Sequence, residues 1–568
     1  MENRDSPILQ VQDLIISFSH SGNWQEVVHS LSFSLEKGET LGLVGESGSG
    51  KSVTALTILG LLGSSSQVHG KILFKNQNLV SLADKDFRKI RGAQISMIFQ
   101  EPMTSLNPVL TCGDQISEVL QVHLKMNRKD SKNESIRLLG EVELPRPESI
   151  YYSYPHQLSG GQRQRVMIAM ALASNPEILI ADEPTTALDV TVQKTIMDLL
   201  IRIKNTRNMS MIFISHDLGL VSQVADRVMV LFKGNCVETG KTHEIFTQPK
   251  HPYTRGLLAC RPGRNIGLSR LPVMSDFMSL GKDGSMTELV GSIDTLQEKF
   301  KKDPLQDRIR RESLYSHEPL LSVKNLSKHF KEVKAVNNVS FKVFPGETLG
   351  LVGESGCGKS TLGRSILRLI EPSQGSVEYR GEDILKFSQR KMRETRKNLQ
   401  IIFQDPYSSL NPRQTIGETL MEPLKIFNMG LSGTERKNKA LEILEKVQLL
   451  PEHFYRYPYE FSGGQRQRIG IARSLMLKPE FIICDESVSA LDVSIQAQII
   501  NLLISLREEF KLTLIFISHD LSVVRFISDR ILVMNKGVFE EEGNPDEIYF
   551  NPQSAYTKRL IEAIPKTI

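Results

Sequence analysis

The sequence predicts two α/β domains in tandem, joined by a linker. The chain has 568 residues, it carries the same five short motifs twice, and within each copy short apolar runs alternate with longer amphipathic segments. A chain of this length exceeds a single hydrophobic core and fits two domains of roughly 200–250 residues. Strand–helix alternation with a glycine-rich loop at a strand end predicts a doubly wound, mainly parallel sheet in each copy.

The internal repeat sets the domain limits. The glycine-rich motif that ends in Lys51-Ser52 returns at Lys359-Ser360, and four further motifs return in the same order at nearly constant spacing. We therefore expect domains at residues 1–262 and 319–568. Residues 263–318, rich in Gly, Ser and charge, should be a linker that contains one helix and needs reach rather than a core.

Within the first unit, apolar runs at residues 40–44, 178–181, 211–214 and 228–232 predict buried parallel strands. They are short and end in Gly or polar residues. Amphipathic segments such as 162–173 and 190–204 predict the intervening helices.

The first repeated motif is a phosphate-binding loop (P-loop) of the type Gly-x-x-x-x-Gly-Lys-Ser. It follows a predicted strand and opens a helix, so its backbone N–H groups can face a phosphate chain at a helix N-terminus. Lys51 and Lys359 would neutralise phosphate charge, and Ser52 and Ser360 could bind Mg²⁺. The cofactors predicted are therefore ATP and Mg²⁺. The candidate nucleotide-binding residues are Gly45, Ser47, Gly48, Ser49, Gly50, Lys51, Ser52 and Val53, and in the second copy Gly353, Ser355, Gly356, Cys357, Gly358, Lys359, Ser360 and Thr361.

A pair of carboxylates follows a predicted strand in each copy, Asp182-Glu183 and Asp485-Glu486. Taken alone, such a pair is more often a helix cap or a solvated pair, but the upstream P-loop favours a catalytic role. The aspartate would hold Mg²⁺, and the glutamate would polarise the attacking water.

The most specific motif is Leu-Ser-Gly-Gly-Gln, with Phe in place of Leu in the second copy. It makes the chain resemble the nucleotide-binding subunits of ATP-binding-cassette (ABC) proteins. That resemblance implies P-loop ATPase domains with an added antiparallel β portion and a helical subdomain. It also implies that this signature clasps the γ-phosphate held by the P-loop of the opposite domain. The signature residues are Ser159, Gly160, Gly161 and Gln162, and Ser462, Gly463, Gly464 and Gln465.

The resemblance assigns further roles. Gln100 and Gln404 would sense Mg²⁺ and couple to the membrane partner, Asp189 and Asp492 would communicate between the two sites, and His216 and His519 would contact the γ-phosphate. Phe18 and Phe330 stand where an aromatic ring stacks on adenine, although each could equally be a core residue. These assignments involve Gln100, Gln404, Asp189, Asp492, His216, His519, Phe18 and Phe330.

Two ten-residue segments, 99–108 and 403–412, and the tail motif at 251–258 resemble the dipeptide, oligopeptide and nickel importer group. The second tail copy, around Tyr556, is weaker. The resemblance implies the ATP-hydrolysing motor of an importer for peptides, peripheral on the cytoplasmic face of the inner membrane. It implies two transmembrane permease subunits as partners, an extracytoplasmic solute-binding protein as an indirect one, and one chain per transporter. Dipeptides, oligopeptides, glutathione-like peptides and nickel complexes all remain open as solutes.

The alternatives are a soluble tandem ABC ATPase acting on ribosomes or DNA, and an exporter motor. The charge balance, 70 Lys+Arg against 65 Asp+Glu, is mild and spread along the chain, so we expect no nucleic-acid partner. No segment approaches the ~18 apolar residues of a membrane span, and we expect no signal peptide. The five cysteines form no Cys-x-x-Cys pair, which favours a reducing cytoplasm.

Some of the differences between the copies lie next to the motifs. Val53 stands where the second copy has Thr361, and Ser487 stands where the first has Pro184, which predicts a less rigid turn after the second glutamate. Cys357 lies inside a P-loop, where inward N–H groups would lower its pKa and make it reactive, unless the thiol faces away beneath the loop.

Overall fold

The structure is a computed structural model, and it describes residues 6–20, 22–101, 105–186, 188–265, 267–281, 286–290, 293–405, 407–489 and 491–565. Pro102, Met103, Thr104 and Pro406, which belong to the two ten-residue segments, lie outside these ranges, as does Ala187.

The first half contains an antiparallel sheet, in the order β2-β1-β4-β5, and a larger sheet in the order β10-β9-β3-β8-β7-β6. In the larger sheet β10 is antiparallel to β9 and the other pairs are parallel. The strands are β1 (Leu9–His20), β2 (Asn23–Leu35), β3 (Thr40–Val44), β4 (Ser66–Phe74), β5 (Gln77–Asn78), β6 (Ile95–Ile98), β7 (Ile178–Asp182), β8 (Ser210–Ile214), β9 (Arg227–Phe232) and β10 (Asn235–Lys241).

The helices of this half fall into a group around the sheet and a helical subdomain between β6 and β7. They are α1 (Lys51–Ile58), α2 (Asp84–Phe87), α3 (Cys112–Leu124), α4 (Arg128–Glu141), α5 (Pro147–Tyr151), α6 (Gly160–Leu172), α7 (Val190–Arg207), α8 (Leu218–Val224), α9 (Thr242–Thr247) and α10 (Pro252–Ala259). Short 3-10 turns at Pro155–Gln157 and Pro262–Arg264 accompany them.

A connecting segment carries α11 (Met274–Phe277), a hairpin of β11 (Met278–Leu280) and β12 (Met286–Glu288), α12 (Ile293–Lys299) and α13 (Pro304–Tyr315).

The second half then repeats the first, with sheets β14-β13-β16-β17 and β18-β19-β20-β15-β21-β22. Its strands are β13 (Leu321–Phe330), β14 (Val333–Val343), β15 (Thr348–Val352), β16 (Gln374–Tyr379), β17 (Glu382–Asp383), β18 (Leu399–Ile402), β19 (Phe481–Asp485), β20 (Thr513–Ser518), β21 (Arg530–Asn535) and β22 (Val538–Gly543). Its helices are α14 (Lys359–Ile366), α15 (Gln389–Thr395), α16 (Ile416–Ile426), α17 (Gly433–Lys446), α18 (Gly463–Leu475), α19 (Val493–Phe510), α20 (Leu521–Ile527), α21 (Pro545–Phe550) and α22 (Ala555–Ala563), with 3-10 turns at Ile384–Lys386, Pro451–Tyr455 and Pro458–Glu460.

The predicted α/β architecture is confirmed in both halves, including the antiparallel β portion and the helical subdomain. The four predicted strands become β3, β7, β8 and β9, and the two predicted helices become α6 and α7. Across the described residues no helix is both long and apolar enough to cross a membrane.

The strand that leads into each P-loop is buried on both faces. Leu41 and Leu43 on β3 belong to one apolar cluster and Val44 belongs to another. Alternate residues of a strand point to opposite faces, so the strand is fixed between two cores. The loop that follows it therefore starts from a rigid base.

The connecting segment has more secondary structure than the linker with one helix that the sequence predicts. It contains three helices and a hairpin among its described residues. It packs on both halves: Met278 belongs to an apolar cluster of the first half, and Leu271 to one of the second. The backbone N–H of Leu271 donates to Asn501 Oδ1, and Asn501 Nδ2 donates to the Leu271 carbonyl, both at 2.8 Å. Leu271 and Val273 belong to the apolar core of the second half. The sequence predicts only one helix here because the apolar side chains of this segment are sparse in a polar stretch.

An ion pair with a buried carboxylate fastens α13 to the second half. Arg310 donates from both terminal nitrogens to Asp529, at 2.5 and 3.0 Å, and Asp529 also accepts from the backbone N–H of Thr348, where the P-loop strand β15 begins. The Asp529 side chain is only 5% exposed, whereas the equivalent Asp226 of the first half is 61% exposed. Burial alone would raise the pKa of Asp529, but the Arg310 guanidinium outweighs it and lowers that pKa.

We expect Arg310→Ala to destabilise the second half by about 1–3 kcal/mol, because it leaves a buried carboxylate with fewer partners. Thermal unfolding of the full chain should show a transition lowered by a few degrees. Arg308→Ala on the same helix is the matched control, since Arg308 pairs with Glu312 at the surface and both side chains are largely exposed. Equal shifts for both variants would contradict a bracing role for Arg310.

Candidate functional site

Each P-loop is shaped by close backbone packing around its glycines. Gly45 and Gly353 have φ values of 152° and 159°. A Cβ atom on Gly45 would lie 2.2 Å from the carbonyl oxygen of Leu231, and one on Gly353 would lie 2.1 Å from that of Met534. Any larger residue would therefore push the loop away from the sheet.

The P-loop lysines lie inside their loops. Lys51 Nζ donates to the carbonyls of Gly45 and Glu46, both at 2.8 Å, and Lys359 Nζ donates to those of Gly353 and Glu354 at 2.7 and 2.9 Å. Both side chains are buried. Burial lowers the pKa of Lys51, although nearby carboxylates, Asp492 first among them, oppose the shift. Each ammonium is thus aimed into the space that the loop surrounds.

A hydroxyl and a carboxylate meet beside each loop. Ser52 Oγ donates to Asp182 Oδ1 at 3.1 Å, and Ser360 Oγ donates to Asp485 Oδ1 at 2.7 Å. Burial raises the pKa of Asp182 to about 6 and raises that of Asp485 as well. Asp485 Oδ2 is buried without a hydrogen-bond partner among the described residues; Arg364 approaches it at 3.8 Å. A hard cation bound by this oxygen pair would relieve that cost, so the residues fit Mg²⁺.

The glutamate after each aspartate is the centre of a polar cluster. Glu183 accepts from Gln100 Nε2 at 3.1 Å and from Thr186 Oγ1 at 2.8 Å, and it lies 3.1 Å from His216 Nδ1. Burial by itself would raise the pKa of Glu183, but His216, Thr186 and Lys51 outweigh it and lower that pKa to about 2. Glu183 is therefore ionised and able to accept a hydrogen bond from a water molecule.

The second glutamate has a similar but looser setting. Gln404 Nε2 donates to Glu486 at 2.8 Å, while His519 Nδ1 lies 3.7 Å away and Lys359 Nζ lies 3.8 Å away. Ser489 Oγ donates to the Glu486 backbone carbonyl and not to its carboxylate. The predicted glutamate, glutamine and histidine thus meet in both copies, but the first glutamate has an extra hydroxyl, from Thr186, that the sequence analysis missed.

Both glutamates share a strained backbone. Glu183 and Glu486 each have a φ of 46°, in the left-handed region that side chains other than glycine seldom adopt. Such a conformation costs on the order of 1–3 kcal/mol and persists where the surroundings enforce it. Here each glutamate N–H donates to the end of the neighbouring strand, to Ile214 at 2.9 Å and to Ile517 at 3.0 Å.

The signature motif caps a helix in both copies. Ser159 Oγ accepts from the N–H of Gln162, and the Gln162 side chain accepts from the N–H of Ser159, which is a capping box at the start of α6. Ser462 and Gln465 do the same for α18. A Cβ on Gly161 would lie 2.8 Å from Val192, and one on Gly464 would lie 2.4 Å from Ile495. The motif thus has a local structural role in addition to any ligand contact.

The loop before α19, at residues 491–492, reaches the P-loop of the first half. Ser47 N–H donates to Asp492 Oδ2 at 3.1 Å, and Ser494 Oγ donates to Glu46. In the other direction, Asp189 accepts from Val192 N–H and caps its own helix. The contact between the halves is therefore asymmetric, with the first P-loop engaged by the second half.

The positions that differ between the copies have small structural consequences. Val53 packs against the core. The turns after the two glutamates have the same backbone hydrogen bond. Thr186 N–H donates to the backbone carbonyl of Glu183 at 3.2 Å, and Ser489 N–H donates to that of Glu486 at 3.3 Å. Ser487 therefore keeps the turn that Pro184 makes.

The adenine candidates differ in exposure. Phe18 is half-buried against the core, whereas Phe330 is 46% exposed, with Lys328 Nζ 5.0 Å from its ring centre. Phe330 is therefore the more accessible of the two rings.

Of the two settings that the sequence leaves open for Cys357, the structure shows the buried one beneath the loop. The thiol is buried in the apolar cluster beneath the loop, and burial raises its pKa although Lys359 Nζ, 3.8 Å from Sγ, opposes the shift. The backbone N–H of Lys359 also favours the thiolate, but burial of the side chain in the core outweighs both contributions from Lys359. We therefore expect Cys357 to react slowly with thiol reagents such as maleimides.

Two glycine-rich loops that each bury a lysine, with a hydroxyl–aspartate pair and a glutamate–glutamine–histidine cluster beside each, define a tandem P-loop ATPase. The sequence profile described as ABC transporter matches residues 28–186 and 336–489, and the profile described as oligopeptide/dipeptide transporter, C-terminal region, matches residues 237–274. The chain belongs to the ABC transporter family.

The chain is similar along its whole length to glutathione import ATP-binding proteins. The protein of Salmonella choleraesuis is 46% identical over 100% of this chain and 90% of its own length, and that of Escherichia coli K12 is 46% identical over 98% and 89%. Among solved structures, the ATP-binding cassette MJ0796 in a dimeric post-hydrolysis state aligns with 40% of this chain and 98% of its own at 32% identity and a TM-score of 0.37. The predictions of an ATP-binding, ATP-hydrolysing subunit and of a peptide-type ABC importer are confirmed.

Proposed function

We propose that this chain drives the import of glutathione or a closely similar short peptide. The observation that carries the proposal is the full-length similarity to the glutathione import ATP-binding proteins, with both ATPase domains in one polypeptide. A subunit of an ABC transporter works with membrane-spanning partners.

The partners we propose are two permease subunits and, indirectly, an extracytoplasmic solute-binding protein. One chain supplies both ATPase domains, so one copy would serve each transporter. Its place would be peripheral, on the cytoplasmic face of the inner membrane.

In the proposed reaction, each P-loop holds the phosphates of one ATP. Lys51 and Lys359 offset the negative charge that develops in transfer. Glu183 and Glu486 orient the attacking water and accept its hydrogen bond, while His216 and His519 hold the glutamates and contact the γ-phosphate. The signatures that begin at Ser159 and Ser462 would close over the P-loop of the other half.

Mg²⁺ would be held by the pairs Ser52–Asp182 and Ser360–Asp485, with Gln100 and Gln404 nearby. When bound, it neutralises charge on the β- and γ-phosphates. Phe330, and more weakly Phe18, would stack on adenine.

We propose domain limits of 1–262 and 319–568, with the connecting residues 263–318 between them. Because α13 is fastened to the second half, we expect residues 304–315 to move together with that domain.

The test is uptake of labelled glutathione by cells that depend on this transporter. We expect cells lacking the chain to lose uptake to background, and the wild-type chain to restore it. A Glu183→Gln/Glu486→Gln chain should fail to restore it, because hydrolysis is blocked while ATP still binds.

Labelled dipeptides and a nickel chelate, supplied in parallel, are the controls for the solute. Normal glutathione uptake in the deleted strain, with loss of nickel or dipeptide uptake instead, would contradict the proposed solute and leave the ATPase role intact.

A further inference from the structure

The helix that carries the tail motif contacts the P-loop in both halves. Tyr253 on α10 accepts a hydrogen bond from the N–H of Glu46 at 3.0 Å, and Tyr556 on α22 accepts one from the N–H of Glu354 at 3.0 Å. The second copy of the tail motif matches the first only partly in sequence, yet its tyrosine makes the same contact. The repetition of the bond in two halves with different tail sequences indicates a shared role.

Each tyrosine acts on the peptide group that also holds the P-loop lysine. The carbonyl of Gly45 and the N–H of Glu46 belong to one peptide unit; the first accepts from Lys51 Nζ at 2.8 Å and the second donates to Tyr253. In the second half, the unit between Gly353 and Glu354 joins Lys359 and Tyr556 in the same way. A peptide bond is planar, so fixing its N–H also fixes the direction of its carbonyl.

The tyrosines themselves are firmly placed. Tyr253 is fully buried, with its ring centre 4.4 Å from that of Phe232, and Tyr556 is 5% exposed. The start of each helix is held by one carboxylate on the preceding strand. Glu238 accepts from the N–H groups of Lys250 and His251, and Glu541 accepts from those of Gln553 and Ser554.

Each tail helix also lies against the opposite half. Helix α10 contacts α19, and α22 contacts α7, where Lys194 Nζ donates to the carbonyl of Glu562 at 3.1 Å. Helices α7 and α19 are those that follow Asp189 and Asp492. The tail helix is thus a rigid link between its own P-loop and the opposite domain.

We propose that Tyr253 and Tyr556 are positioning residues for ATP hydrolysis, which hold the P-loop peptide that orients the catalytic lysine. The proposal rests on the site roles proposed above for Lys51 and Lys359. The hydroxyl keeps the carbonyl turned toward the lysine, so the ammonium stays directed at the phosphates. When the halves shift against each other, the tail helix carries that movement to the loop.

The test uses Tyr253→Phe and Tyr556→Phe in the full chain, which remove only the hydroxyl. We expect each to lower kcat/KM for ATP about three- to tenfold, the effect of one buried hydrogen bond. Tyr459→Phe is the matched control, since Tyr459 is 64% exposed and should leave the activity unchanged. Thermal unfolding of each variant separates this effect from loss of folding.

A double-mutant cycle distinguishes an effect that acts through the lysine from one that acts only on the fold. The affinity for an ATP analogue is measured for Tyr253→Phe in the wild-type and in the Lys51→Ala background. If the tyrosine acts through the lysine, its effect on affinity should vanish when Lys51 is absent. An equal loss in both backgrounds, or wild-type kcat/KM in both tyrosine variants, would overturn the proposal. Full activity of Lys51→Ala would instead contradict the proposed role of the lysine and so identify a failure of the site assignment.

Discussion

Lys51→Ala and Lys359→Ala are each expected to reduce ATP hydrolysis strongly, on the order of a hundredfold at the altered site. Each ammonium is buried and held by two loop carbonyls. Alanine would leave these carbonyls unpaired and remove a positive charge from a water-poor site, where charge interactions are strong. Steady-state ATPase assays of both single variants and the double variant measure the effect.

Lys89→Ala is the matched control, because Lys89 is 70% exposed and pairs with Asp86 at the surface. It should keep wild-type activity. If one of the single lysine variants retained full activity, that site would be idle in the wild-type protein. The asymmetric contact of Asp492 with the first P-loop would then be the feature to examine, together with Val53 and Ser487.

The Glu183→Gln/Glu486→Gln chain should become more compact with ATP and Mg²⁺ while keeping the mass of one chain. Glutamine preserves the shape of the side chain but does not accept a proton from water, so ATP stays bound and the halves stay closed. The first P-loop already contacts Asp492 of the same chain, which favours closure within one molecule. Covalent connection raises the effective concentration of the second half to about millimolar.

Small-angle scattering gives the radius of gyration, and light scattering gives the mass, with and without ATP. Glu371→Gln, a change at a largely exposed site that pairs with Arg368, serves as the control and should show no compaction. Halves separated after residue 262 and carrying the same glutamine changes should pair only when ATP is added. A stable particle of two full-length chains would contradict closure within one chain.

The class of protein, its two ATPase domains and most of the candidate site residues are predictable from the sequence. The P-loop, the acidic pair and the signature are predictable because their chemistry is local. A lysine before a serine at a helix start and a serine that caps a helix depend on neighbours within a few residues.

Features that depend on packing between distant parts of the chain are visible only in the tertiary structure. The thiol of Cys357 is buried in the core, so burial raises its pKa, which overrides the electropositive loop that the sequence suggested. The connecting segment contacts the second half through Leu271 and Arg310. Nothing in the polar sequence around these two residues marks them as contact residues. The hydroxyl of Tyr253 reaches a loop 207 residues earlier in the chain. Local sequence patterns do not specify such long-range contacts, because they arise only when separate elements pack and exclude water.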